Sequence, residues 1–456
     1  MRTFTTCCFI AVALILSPKG ARAADLAPLS VQAISDNAQQ AESAIRRLRD
    51  KGPAALEWLV VERQRWGSDK QDASRLAKLD AVIDRVGGQR YCTASHLYWY
   101  TDLAKAKQAA ANSGKLIVSL RLMGNLTDEF SCANSRFFRT TLYANTTISK
   151  LLRDNFILHW QSVRPVPKVT IDFGDGRKLH RTLTGNSIHY VLAPNGKVID
   201  GLPGLYGPQK FKMWLAELLT GANYFTGKQA LPEGYSEDSL VKYYHQQQLG
   251  KIVRQWQQEL AKIKPEVGHK ATDQGRGQGA AAKTTAKMSF SAMIDRIPRL
   301  ERSTNDRVWR RIAVLHAKEA TLDNASIALI ERENPAAAQE YIERARQASD
   351  RGSGQEQENV QDVGQGQGKG EGEKPLLRLI RNLESSIAVD TVRNEYLLHR
   401  QIHQWFSEGS ATRDVDALDE RIYAELFLTP HSDPWLGLAP NGIYSALPNN
   451  GVEIKK

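Results

Sequence analysis

Cys132-Ala133-Asn134-Ser135 is the segment whose residue types and spacing are best suited to chemistry. A cysteine at the start of a predicted helix meets unpaired backbone N–H groups and the positive end of the helix dipole, and both stabilise a thiolate. A thiolate attacks a disulfide and holds it as a mixed disulfide, but releasing that adduct takes a second thiol. Ser135 can hydrogen-bond a thiolate but cannot resolve the adduct. The chain has four cysteines, and Cys7 and Cys8 lie in an N-terminal apolar run, so Cys92 is the candidate resolver. Two readings of the Cys92 and Cys132 pair stay open. In one, Cys132 is a nucleophile and Cys92 resolves it. In the other, a permanent Cys92–Cys132 disulfide staples the chain, worth about 3–4 kcal/mol by loop closure.

Histidines supply the other candidates. Glu395, His399 and His403 recur every four residues and share one face of a predicted helix. Two histidines at that spacing can share a metal. Ordinary polar packing between helices explains the same pattern, and neither a metal nor a cofactor is assigned. His316 and Glu319, on another predicted helix, are the residues that could complete such a site. His180 and His189 fall near strands and could assist a thiolate as base or partner.

Elements that position these residues follow from periodicity. Leu29 to Val86 is helical, with apolar residues at three- and four-residue steps and a break at Gly52-Pro53. From Leu97 to Trp214 helix and strand signals alternate. A helix over 104–112 ends at Gly114, and Leu116-Ile117-Val118-Ser119-Leu120 reads as a buried strand. Helices follow over 135–143 and 147–153. Strands are expected at 156–160, 168–173 and 189–192, the last turning at Pro194-Asn195-Gly196 to pair with 197–199. A helix over 211–219 closes the segment. This order implies a mixed α/β sheet. From Glu237 onward the chain is helical, with helices over 240–263, 309–348, 376–406 and 415–428. Two Gly- and Gln-rich inserts, near 269–286 and 351–374, interrupt it and cannot bury a core. The apolar tail Asp433 to Leu438 is expected to dock on the helices.

The N-terminus reads as a secretory leader. Arg2 precedes an apolar run from Cys7 to Leu16, and Ala21-Arg22-Ala23 fits a small-x-small cleavage site. The run is too short for a bilayer span, which needs about 20 residues. A periplasmic or secreted protein with no integral membrane segment after cleavage is therefore expected. Losing Arg2, Lys19 and Arg22 takes the net charge from +11 to +8. The basic residues are dispersed among acids, and no nucleic-acid motif stands out, so a nucleic-acid partner is not expected.

The ordered features of Leu97 to Leu219 resemble the thioredoxin-like superfamily. Gly114-Lys115 precedes the apolar strand, Cys132 stands at the helix start, and Tyr143 lies eight residues after Ser135. A short helix and Asn155-Phe156 follow. Gly185-Asn186-Ser187-Ile188 and the turn Pro194-Asn195-Gly196 occupy the family's later spacing. Two departures matter. Ser135 replaces the second cysteine of the family motif, and Ser187 stands where the family carries a cis-proline. The resemblance implies an α/β thioredoxin-like domain, a mixed sheet flanked by helices, over 92–227. A helical lead-in over 24–91 precedes it and an all-α region over 228–456 follows, after a leader over 1–23. It implies either thiol–disulfide exchange through Cys132, with protein thiols or disulfides as partners, or a redox-inactive scaffold whose helical region binds a protein partner.

Overall fold

A computed structural model describes residues 18–67, 73–183, 185–263, 306–335 and 375–436. Most of the expected leader, both inserts, the helix expected beyond 335 and the tail past Leu436 lie outside the described residues. The chain divides into two compact units, Met1–Tyr98 and Trp99–Lys456.

The first unit is helical. Its elements are α1 (Pro18–Ala33), α2 (Ala38–Asp50), α3 (Pro53–Gly67), α4 (Ala73–Gly87) and the single turn α5 (Cys92–Ser95). The described end of the expected leader, Pro18 to Ala23, is the start of α1. Asn37 caps α2 by accepting from Gln40 N at 3.0 Å. Leu48, Leu59, Leu79, Ile83 and Val86 meet in one core. Cys92 belongs to that core. Its thiol donates to Leu97 O at 3.3 Å, and Asp84 accepts from Cys92 N at 2.7 Å.

The second unit is built on a five-stranded mixed sheet. Its strands are β1 (Trp99–Tyr100), β2 (Leu116–Met123), β3 (Phe156–Arg164), β6 (Ser187–Leu192) and β7 (Val198–Pro203), ordered β1-β3-β2-β6-β7. β1, β3 and β2 run parallel, with Val118 opposite Leu158. β6 is antiparallel to β2, with Val118 opposite Val191, and β7 is antiparallel to β6. β4 (Lys168–Asp172) and β5 (Lys178–Thr182) form a separate exposed hairpin.

The helices of this unit are α6 (Leu103–Ser113), α7 (Ala133–Phe137), α8 (Thr146–Asn155), α9 (Pro208–Thr220), α10 (Ala222–Phe225), α11 (Glu237–Lys262), α12 (Asp306–Leu315), α13 (Asn324–Glu333), α14 (Pro375–Arg393), α15 (Arg400–Glu408) and α16 (Val415–Glu425). The helix expected over 376–406 is interrupted by a π-helical turn, Asn394–His399, and α7 continues into another, Phe138–Leu142.

Every residue of β2, β6 and β7 is buried, because helices cover both faces. Ile117, Ile188, Tyr190 and Leu192 pack with Ile402, Phe406, Leu418 and Ile422 in one cluster. The alternate residue His189 faces Phe138, with ring centroids 4.5 Å apart, and Phe211 at 4.9 Å. The C-terminal helices are thus one side of the sheet's own core.

They also cover the β7 edge. A sheet edge exposes unpaired N–H and C=O groups. Here Val198 N donates to Arg413 O at 2.9 Å, Arg413 Nε donates to Val198 O at 2.9 Å, and His245 Nε2 donates to Ile199 O at 2.9 Å.

Gly207 is the N-cap residue of α9 and donates from its N–H to Thr391 Oγ1 at 2.8 Å. A Cβ there would overlap the Glu319 carbonyl, which is backbone and cannot rotate away. Gly207→Ala should therefore lower stability by about 1–3 kcal/mol. Gly221→Ala, whose Cβ meets only the Phe225 ring at 3.9 Å, should have a much smaller effect. Urea unfolding midpoints of the two variants check this.

Candidate functional site

Cys132 follows the loop after β2 and caps α7, as the spacing predicts. Its N–H donates to Met123 O at 3.2 Å. The residue is fully buried. Ser135 does not bond the Cys132 sulfur. Its hydroxyl lies 2.7 Å from Ser131 Oγ and 2.9 Å from Cys132 O, so its hydrogen bonding is spent on the turn. Buried Arg139 holds the long loop, donating to Asp128 O at 2.7 Å and Leu126 O at 3.0 Å.

Tyr143 and Tyr423 lie within electrostatic reach of Cys132, and burial raises both phenols well above their ordinary range. The Tyr143 hydroxyl is 2.6 Å from His189 Nε2. Burial lowers His189 to about 3, so the ring is neutral. Tyr423 belongs to α16, and its hydroxyl donates to Asn186 O at 3.1 Å. Asn186 Nδ2 donates to Thr429 Oγ1 at 2.8 Å, and Arg164 Nη2 to Thr429 O at 2.6 Å. The C-terminal segment therefore lies across the loop that leads into Ser187. Ser187 itself is buried, with no hydrogen-bond partner for its hydroxyl among the described residues.

Cys92 and Cys132 are both free thiols, so the staple that one of the two readings places between them is not formed. The physical reason is local. Cys92 is committed to the helical core of the first unit, where burial, then Asp84, pushes its thiol pKa far up. Cys132 is enclosed within the second unit. His180 lies on exposed β5 and pairs with Thr170 Oγ1 at 3.0 Å.

Glu395, His399 and His403 do share one face, and the fold brings three further residues to them. Asp200 comes from β7, His245 from α11 and Lys210 from α9. Lys210 Nζ lies 2.8 Å from Glu395 Oε1, and Glu395 Oε2 lies 3.1 Å from His399 Nδ1. His399 Nε2 is 3.3 Å from both Asp200 oxygens. Asp200 also accepts from Trp214 Nε1 and Tyr244 OH at 2.9 Å and from Gly201 N at 2.8 Å. His403 Nδ1 lies 2.7 Å from His245 Nδ1.

Charges alternate along this buried row. Burial alone would raise Asp200 and Glu395, but His399 holds Asp200 below the carboxylate range, and Lys210 with His399 does the same for Glu395. The two carboxylates in turn overcome burial and raise His399 to about 9. Burial, then the His399 charge, lowers His403 well below its ordinary value. Sequence spacing could not find Asp200, His245 or Lys210, which come from three other elements.

His316 and Glu319 do not complete this cluster. His316 Nε2 lies 2.8 Å from Glu259 Oε1 on α11, and Nδ1 lies 3.1 Å from Glu319 Oε1. Tyr396 OH donates to Glu259 Oε2 at 2.6 Å. They form a separate tie between α11 and the turn after α12.

No family model, curated protein or solved structure matches this chain.

Burial lowers His316, but the hydrogen bond to Glu259 and the Glu319 carboxylate beside Nδ1 outweigh it and raise the pKa to about 9. A raised folded-state pKa gives stability that is full below the unfolded value of about 6.5 and is lost as pH rises through about 9. The stability difference between wild type and His316→Gln should thus be constant below pH 6.5 and shrink between there and pH 9. Urea midpoints measured across that range check it.

Proposed function

We propose that this chain is an exported thioredoxin-like protein that serves as a redox-inactive scaffold, with its helical C-terminal half as the partner-binding region. The observation that carries the reading is the complete burial of Cys132 beside Tyr423, a residue of that half. A thiol that exchanges with protein disulfides must be reached by a second sulfur in line with the bond it attacks. Here the thiol is fully buried, and Tyr423 of the chain's own α16 lies within electrostatic reach of it.

Three further features support it. Ser135 stands in the place of a resolving thiol and is hydrogen-bonded to the turn. Cys92, the other candidate resolver, is a buried thiol bonded to Leu97 O. The features behind the thioredoxin resemblance fall on consecutive sheet elements, with Cys132 after β2, Ser187 opening β6, and the Asn195 turn joining β6 to β7. Among the described residues no helix is long and apolar enough to cross a membrane.

Peptide-resolved alkylation of the native protein at neutral pH tests the proposal. Cys132 should react only through unfolding, slower than a cysteine in a short peptide by about the unfolding equilibrium constant. The protein should not accelerate insulin reduction by dithiothreitol. Fast native alkylation of Cys132 would overturn the scaffold reading in favour of thiol exchange.

A further inference from the structure

The scaffold reading makes no use of the buried cluster at the β7 edge. One donor atom each of Asp200, His399 and His403 lies within 4.8 Å of the other two, and all three residues are buried. We propose that these three residues bind a divalent transition ion of the zinc class.

The donor set comes first. Two imidazoles and one carboxylate suit zinc and its neighbours, whereas calcium and magnesium take oxygen donors. Distance is the second argument. A charge-assisted N–H···O contact is ordinarily about 2.7–2.9 Å. His399 Nε2 instead sits at 3.3 Å from each Asp200 oxygen. Two donors on a tetrahedral zinc, each about 2.0–2.1 Å from the ion, are about 3.4 Å apart. That pair is spaced as ligands are, and His403, within 4.8 Å of both, has to close in on the ion.

The partners behind the donors are the third argument. A ligating histidine usually gives its other ring N–H to a carboxylate, a carbonyl or water. His399 Nδ1 faces Glu395 Oε2 at 3.1 Å. For His403 a chain of contacts assigns the tautomer. His245 Nε2 lies 2.9 Å from Ile199 O, which can only accept, so that nitrogen carries the proton and His245 Nδ1 is bare. The proton between the two Nδ1 atoms, 2.7 Å apart, therefore belongs to His403. With that proton on Nδ1, His403 has Nε2 to offer as its donor. Asp200 is already aimed by Trp214 and Tyr244. Binding exchanges the proton held between His399 Nε2 and Asp200 for the ion, and that proton leaves to solvent. Three protein donors leave one tetrahedral position for a water.

Cobalt titration of chelator-treated full-length protein tests this. One equivalent should give visible d–d bands of a tetrahedral site. Two exchangeable, hyperfine-shifted imidazole N–H resonances should appear by NMR, from the Nδ1–H groups of His399 and His403. Zinc should displace the cobalt and raise the melting temperature. His403→Gln should lose the bands while keeping the far-UV circular dichroism of the wild type. Failure to bind one equivalent, or bands that persist in His403→Gln, would overturn the proposal. If that variant does not fold, the wild-type resonances decide: two sustain the site, and fewer overturn it. None of these outcomes depends on the reactivity of Cys132, so the two proposals fail separately.

Discussion

The second unit depends on how the edge of β7 is closed. A fully buried strand cannot leave peptide groups without partners, since each orphan costs about as much as a lost hydrogen bond. Arg413 and His245 supply those partners to Val198 and Ile199. Asp200, the next residue of β7, anchors the side-chain row that reaches α9, α11 and the π turn. The helical half is therefore a structural complement of the sheet. Its apolar residues complete one face, and its polar residues complete one edge.

The buried row stays stable because its charges alternate. Lys210, Glu395, His399 and Asp200 compensate one another in sequence, and neutral donors satisfy the remaining lone pairs of Asp200. Such a row contributes less to net stability than its short contacts suggest, because desolvation opposes it, but losing one member strands its neighbour. That asymmetry ties the placement of α14 and α15 to the sheet. The π turn serves the same end. Its wider step carries His399 to Asp200 while Glu395 reaches Lys210, a local departure of the kind often found where side chains have a task.

Much of this was legible in the sequence. The 2.0 and 3.6 periodicities located β2, β3, β6, the Pro194–Gly196 turn and most of the described long helices, because burial on sheet and helix faces follows those periods; α1 was missed, and the helix expected over 309–348 breaks at a 3-10 turn, Ala317–Ala320, and restarts where Asp323 caps α13. The helix-capping place of Cys132 and the common face of Glu395, His399 and His403 were readable for the same reason. The β5 strand was not, since Lys178 to Thr182 alternates with little apolar content and pairs only with β4. The π turns were not, because a π turn in a helix leaves no compositional mark. Asp200, His245 and Lys210 joined the cluster through tertiary packing between distant segments. The pairing of Cys92 with Cys132 failed because cysteine count says nothing of where two buried thiols lie.

Native-state hydrogen exchange tests the central claim, that sheet and C-terminal helices open as one, most directly. Amides of β6, β7, α15 and α16 should exchange with a common opening free energy, and His399→Ala should lower all four together. Exchange of α15 and α16 through openings that leave β6 and β7 protected would contradict it.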